Sequence, residues 1–159
     1  MKTLYTAEAV VDGGRSGHGG SSDGRLEVDL SVPKELGGDG GPGTNPEQLF
    51  AVGYAACVQS ARLGVARGRT LDASDSTIVA RVGIGPTGHG AFGLSLALDL
   101  HAPHLARAEA EDLMLQAHER CPYSNATRGN VDVVLKVDGV DVEPLRFRHD
   151  QLLARSVRQ

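Results

Sequence analysis

The sequence predicts an α+β fold, a sheet packed with helices. Short segments alternate apolar and polar residues with a period of two, and they are separated by two longer segments with helical spacing. The chain has 159 residues, 40% of them apolar, which suffices for one domain with an ordinary core. Because no internal repeat divides it, we expect a single domain over residues 1–139 and a C-terminal extension over residues 140–159.

Five segments are predicted to be strands. Successive side chains of a strand face opposite sides, so alternating apolar residues mark one buried face. Residues 26–32 show this pattern, and residues 4–11 are expected to pair with them. The pattern returns at residues 78–84, 94–100 and 131–137. Because each strand has one polar face, we expect the sheet to be antiparallel.

The first helix is predicted over residues 45–66. Thr44 or Asn45 can cap it, and Pro46 is tolerated in the first turn because its missing N–H would have no partner there. Glu47 suits the positive end of the helix. Small residues at helical spacing then form one stripe, which predicts close contact with another backbone: Gly53, Cys57, Ser60, Ala61 and Gly64.

The second helix is predicted over residues 105–120. Its apolar face is formed by Ala110, Leu113, Met114 and Ala117. Cys121 continues that face, and Pro122 is expected to end the helix, which leaves residues 123–130 as a turn-rich connection. A thiol beside a loop moves more easily than one within a helix, so Cys121 suits a role as the second thiol of a pair.

Charge and N-terminal composition narrow the range of partners. The net charge is −4, and nucleic-acid binding requires a concentrated basic surface, so we expect no nucleic-acid partner. The first eight residues lack an apolar signal core, and no run of about 18 apolar residues is present. We therefore expect no membrane partner and a cytoplasmic location.

The chain has two cysteines, Cys57 and Cys121. Cytoplasmic thiols are kept reduced, so a disulfide between them would be catalytic or sensory. Taken alone, Cys57 is most simply an inert core thiol and Arg15 a solvated surface charge. Taken alone, Glu47 is explained well enough by capping of the first helix. His118 with the two thiols makes only an incomplete soft-metal set, so we expect no bound metal.

Five motifs occur along the chain in a fixed order: GGR at 13–15, ELGG at 35–38, GTNPEQLFAVGYAAC at 43–57, VGIG at 82–85 and CPYSNATRGN at 121–130. In this order they closely resemble the organic hydroperoxide resistance (Ohr) proteins of the OsmC/Ohr superfamily. The resemblance covers roughly residues 2–139.

The resemblance implies a thiol-dependent peroxidase that reduces organic, fatty-acid-type hydroperoxides in the response to oxidative stress. It implies no bound cofactor; dihydrolipoyl groups of lipoylated proteins, or another dithiol, serve as the external reductant. The implied fold is OsmC/Ohr-like, with antiparallel β-sheets wrapped around two central helices in an intertwined homodimer.

By position, Cys57 matches the peroxidatic cysteine and Cys121 the resolving one, while Arg15 and Glu47 match the polar pair that activates the thiolate. A guanidinium near a thiol favours its charged form, and a carboxylate can hold that guanidinium through a bidentate contact. Candidate walls of the apolar substrate pocket are Leu49, Phe50, Tyr54 and Met114.

Helix geometry constrains Glu47. Ten residues separate it from Cys57, which is about 15 Å along a helix axis. Glu47 must therefore act through Arg15 or come from the other subunit, and we favour the second route because the small-residue stripe invites close helix pairing.

Two features depart from the resemblance. Val58 follows Cys57 where the family more often has a bulky residue, which leaves the substrate preference open, and residues 140–159 lie beyond the usual end. The alternative function is a non-catalytic thiol redox sensor or a dithiol metal-binding module.

Overall fold

The computed structural model describes residues 1–143, and the chain divides into two compact units. The first unit runs from Met1 to Phe50 and the second begins at Ala51. Most of the extension predicted over residues 140–159 lies outside the described residues. Its first two residues, Val140 and Asp141, form a short strand of the second unit.

The first unit contains a three-stranded antiparallel sheet. Its strands are β1 (Ala9–Asp12), β2 (His18–Ser21) and β3 (Glu27–Asp29), in the order β1-β2-β3. The expectation that residues 4–11 pair directly with residues 26–32 is wrong, because β2 lies between them. Sequence reasoning missed β2 because its central residues are two glycines, which give no apolar alternation.

The second unit contains a four-stranded sheet. Its strands are β4 (Thr77–Pro86), β5 (Phe92–His101), β6 (Val133–Val137) and β7 (Val140–Asp141), in the order β4-β5-β6-β7. Strands β5 and β6 pair in parallel, which corrects the expectation of a wholly antiparallel sheet. The physical reason is the helical connection between them, because parallel neighbours require a long crossover.

Three α-helices accompany these sheets within residues 1–143. The predicted helices are confirmed within a few residues as α1 (Pro46–Gly68) and α2 (Arg107–Arg120). The connection predicted after Cys121 is instead a short helix, α3 (Pro122–Thr127). Pro122 both prevents α2 from continuing and suits the first turn of α3, where a backbone N–H is not needed.

The core of the second unit lies between its sheet and α2. The inward residues of β5 and β6 are Leu96, Leu98, Leu100, Leu135 and Val137, and those of α2 are Ala110, Leu113, Met114 and Ala117. Val65 and Ala66 of α1 pack against Leu113 in this core. Burial of these apolar side chains is the main stabilising contribution.

The small-residue stripe of α1 is only partly covered. The buried residues of α1 are instead Tyr54, Val58, Arg62, Val65 and Ala66. On the small stripe, Gly53 lies against Tyr123, whereas Ser60 and Gly64 are exposed.

Among the described residues, α1 is also the one helix long and apolar enough to cross a membrane by length and composition. Its most apolar window has a mean hydropathy of 1.3, which departs from the expectation that no such segment exists. Core helices of soluble proteins have the same composition.

The start of α1 depends on an N-terminal cap. The Asn45 side-chain oxygen accepts a hydrogen bond from the Gln48 backbone N–H at 2.9 Å, which resolves the choice between Thr44 and Asn45. We expect Asn45→Ala to lower the free energy of unfolding by about 1 kcal/mol, because one helix N–H loses its acceptor. Asn45→Asp, which keeps the acceptor, should unfold like the unsubstituted protein in urea. An equal loss in both variants would contradict this role.

Candidate active site

The two cysteines meet in the second unit. Cys57 lies on α1 and is partly buried, whereas Cys121 lies between α2 and α3 and is fully buried. Their Sγ atoms are 2.7 Å apart although 64 positions separate them along the chain. A disulfide bond is about 2.05 Å long, so bonding requires a shift of only about 0.7 Å. The expectation that the second thiol lies within reach of the first is confirmed.

The segment that carries Cys121 is fastened to α1 by Tyr54. This side chain is fully buried, and its hydroxyl lies 3.0 Å from Ser124 Oγ and 3.4 Å from Thr127 Oγ1. Tyr54 precedes Cys57 by three residues, so it lies on the same side of α1. The contact therefore fixes the start of α3, and with it Cys121, against the part of α1 that carries Cys57.

Tyr123 makes a second contact between the same elements. Its ring lies 5.8 Å from that of Tyr54, measured between centroids, and it covers Gly53. A Cβ atom at Gly53 would lie 3.1 Å from the Tyr123 hydroxyl oxygen, so a small residue suits this position. The Tyr123 backbone N–H also donates to the sulfur of Cys57. Sequence reasoning missed Tyr123 and Ser124 as site residues; the available signal was their place directly after Cys121.

The surroundings of Cys57 within this unit favour the neutral thiol. Burial, together with a hydrogen bond and charge coupling to Cys121, raises the pKa of Cys57 to about 11. Donation from the Tyr123 N–H acts in the opposite direction and is the smaller effect. At neutral pH, a reactive thiolate at Cys57 therefore requires additional positive charge.

The first unit brings Arg15 and Glu47 together. The guanidinium donates two hydrogen bonds to the carboxylate, Nη1 to Oε2 at 2.9 Å and Nη2 to Oε1 at 2.7 Å. The expected bidentate contact is thus confirmed within one chain. The hydrogen bond from Arg15 holds the pKa of Glu47 below its usual value, so the pair stays charged at neutral pH. The Arg15 side chain remains 39% exposed, against 13% for Glu47, which leaves part of the guanidinium available to another group.

Glycines build the turn that carries Arg15. Gly13 and Gly14 have φ angles of 64° and 57°, which side chains rarely adopt. A Cβ atom at Gly17 would lie only 1.9 Å from the Asp12 carbonyl oxygen. These positions allow the chain to turn sharply between β1 and β2 and to present Arg15.

Two routes were expected for Glu47, through Arg15 or from the other subunit. Its pairing with Arg15 of the same chain supports the route through Arg15. That Glu47 serves a Cys57 of the other subunit stays a prediction.

The proposed pocket walls differ in exposure. Leu49 and Phe50 are half-buried in the first unit, whereas Tyr54 and Met114 are fully buried in the second. Their role as walls stays a prediction. Within residues 1–143, no group of three His, Cys, Asp or Glu side chains could hold a metal ion.

Comparisons with known proteins place these features in a family. The model of the family described as OsmC-like protein matches residues 37–136. An organic hydroperoxide resistance protein of Xanthomonas axonopodis pv. citri is 51% identical over 135 residues, which cover 84% of this chain and 94% of the relative.

Solved structures agree. The organic hydroperoxide resistance protein OsmC from Legionella pneumophila superposes with a TM-score of 0.81 at 50% identity, covering 86% of this chain and 98% of that one. OhrB of Bacillus subtilis gives 0.79 at 43% identity, with 86% and 100% covered. The chain therefore belongs to the OsmC-like protein family and, within it, to the organic hydroperoxide resistance proteins.

Proposed function

We propose that this protein reduces organic hydroperoxides to alcohols, with Cys57 as the nucleophile and Cys121 as the resolving thiol, and so protects against oxidative stress. The observation that carries the proposal is the 2.7 Å separation of the two Sγ atoms. Its relatives are named organic hydroperoxide resistance proteins, which supports organic hydroperoxides as the substrate class. A thiol pair this close can trap an oxidised sulfur before further oxidation makes the damage irreversible.

The reaction has three balanced steps. The Cys57 thiolate attacks the distal peroxide oxygen, the O–O bond breaks, and the alkoxide takes a proton to leave as the alcohol, so that Cys57 becomes a sulfenic acid. The Cys121 thiol then attacks this sulfur, and water leaves as the disulfide forms. An external dithiol finally reduces the disulfide to two thiols and becomes a disulfide itself.

Arg15 supplies the positive charge that the first step requires. Burial raises the pKa of Cys57, so its thiolate gains from a nearby guanidinium, which also stabilises the charge developing on the leaving oxygen. Glu47 orients this guanidinium through the bidentate contact. A lysine could supply the charge but not the two parallel donors.

The substrate tail and the reductant differ in what they require. An alkyl chain gains about 0.8 kcal/mol for each buried methylene, which favours fatty-acid-type hydroperoxides as substrates. The reductant needs access to sulfur. Cys57 is the more accessible of the two sulfurs, so an incoming dithiol, such as a dihydrolipoyl group of a lipoylated protein in the cytoplasm, attacks it and Cys121 leaves.

The uncovered apolar surface supports a homodimer. Val52 of α1 is 71% exposed, Phe92 of β5 is 67% exposed, and the stripe at Ser60 and Gly64 is open. Only 28% of the most apolar window of α1 is buried within the chain. An intertwined second copy of the chain covers such surfaces and removes them from water.

Cysteine variants test the catalytic cycle. With tert-butyl hydroperoxide and dihydrolipoamide we expect steady turnover by the unsubstituted protein, no reduction by Cys57→Ser, and one equivalent of alcohol from Cys121→Ser, because its sulfenic acid lacks the resolving thiol. Alcohol formation and intact mass measure these outcomes. A redox sensor would oxidise once and stop, and that result with the unsubstituted protein would overturn the proposal.

Thiol titration tests the role of Arg15. In Arg15→Ala we expect the pKa of Cys57 to lie near the raised value set by burial, so that alkylation by iodoacetamide accelerates only at strongly alkaline pH. With Arg15 present, the same acceleration should occur at lower pH, because the guanidinium favours the thiolate. Arg15→Ala should also lower kcat/KM about 100-fold. Identical titration curves and rates in the two proteins would remove Arg15 from the mechanism.

Sedimentation tests the dimer. We expect the protein to sediment at twice the chain mass and Val52→Glu to shift it towards the monomer, because a charge would enter the covered apolar surface. Val52→Leu, which keeps this position apolar, is the matched control and should remain dimeric. A monomeric unsubstituted protein would contradict the dimer.

A further inference from the structure

His18 bridges two carboxylates in the first unit. Its Nδ1 lies 2.9 Å from Asp29 Oδ1, and its Nε2 lies 2.6 Å from Glu27 Oε2. Carboxylate oxygens at neutral pH only accept hydrogen bonds, and a neutral imidazole has a single N–H. Both contacts can therefore be hydrogen bonds only when the ring is the doubly protonated cation.

The sheet concentrates negative charge around this ring. His18 of β2 stands opposite Asp12 of β1 and Asp29 of β3 in the strand register, so these three side chains share one face. Glu27 lies on that face too, two residues before Asp29 on the same strand. With a neutral ring, three neighbouring carboxylates repel one another across the two strand pairs. With a charged ring, the repulsion is offset.

The two strands that His18 joins are also linked to the segments that carry Arg15 and Glu47. Strand β2 directly follows the turn that bears Arg15, and the Leu30 N–H donates to the Gly17 carbonyl oxygen at 2.8 Å where the turn ends. At the other side, the Asp29 carbonyl oxygen accepts from the Thr44 N–H at 2.9 Å, three residues before Glu47. The contact between His18 and Asp29 therefore lies between the turn that carries Arg15 and the segment that leads to Glu47.

We propose that His18 is a positioning residue whose protonated ring, by joining β2 to Glu27 and Asp29 of β3, holds the turn of Arg15 and the start of α1 in register for catalysis. The inference rests on the proposed function only in assuming that the Arg15–Glu47 pair serves peroxide reduction. The ring itself touches neither substrate nor thiol in this role.

The sign of the pH dependence follows from the bridge. The hydrogen bond to Asp29, and next that to Glu27, raises the pKa of His18 above its usual 6.5. A raised pKa means that the bridge is fully present below that usual value and is lost as the pH rises through the higher value of the folded protein. Positioning of Arg15 therefore weakens on the alkaline side, where the thiolate fraction alone would increase the rate.

The direct test is NMR of the full-length protein as isolated. We expect the His18 ring resonances to titrate above the usual pKa of histidine. The Arg15 Nε–Hε resonance should shift with the same midpoint, because the position of Arg15 depends on the contacts that His18 makes between β2 and β3. In His18→Gln the Arg15 resonance should lose that transition. His101→Gln, which removes another histidine paired with a carboxylate, is the matched control and should retain it. An Arg15 resonance that titrates identically in His18→Gln overturns the proposal.

Kinetics supply the second readout. We expect His18→Gln to lower kcat/KM about tenfold below the titration midpoint and to remove the alkaline decline attributed to His18. His18→Lys, which keeps a cation but has one donor group, should recover part of the rate and also lack the decline. An equal loss at every pH, with the decline intact, would indicate a merely structural role and overturn the inference. If the unsubstituted protein reduces no peroxide, the proposed function fails, while the NMR titration still decides the positioning role.

Discussion

The contact between the sulfurs of Cys57 and Cys121 is the constraint on which the candidate site of the second unit depends. Cys57 lies within a long helix, whereas Cys121 occupies the single extended residue between two helices, and the 2.7 Å contact requires both backbones to be fixed. Tyr54 provides this by joining α1 to α3 through its buried hydroxyl. The two thiols are thereby held by a packed core rather than by a loop, so they lie close to disulfide geometry while both are free.

The burial that positions the two thiols also disfavours the thiolate form of Cys57. Removing Cys57 from water raises its pKa, and the adjacent Cys121 adds to the effect. In our proposal, Cys57 as the nucleophile depends on a cation held at a defined orientation, and Arg15 is that cation. Its guanidinium is oriented by two hydrogen bonds to Glu47, and part of it remains exposed. In our proposal, protonation of His18 links that orientation to pH.

The accuracy of the sequence predictions followed the strength of each local signal. Helices α1 and α2 were located closely because their apolar spacing and Pro46 are strong local features. Strand β2 was missed because a glycine pair carries no alternation. The parallel pairing of β5 with β6 was missed because it depends on where the α2–α3 connection returns the chain, which is a long-range property. Helix α3 is not evident from the sequence because Pro122 both ends α2 and begins α3.

The sequence by itself determined the family, the two sulfur atoms and the identity of the charged pair, because long motifs fix residue types at fixed positions. Only the tertiary structure decided that the sulfurs touch, that Arg15 pairs with Glu47 of the same chain, that Tyr123 donates to Cys57, and that His18 bridges two carboxylates. Each of these contacts joins residues on different elements. Local patterns specify the elements, but the distance between two side chains on separate elements is set by packing and hydrogen bonding across the whole unit.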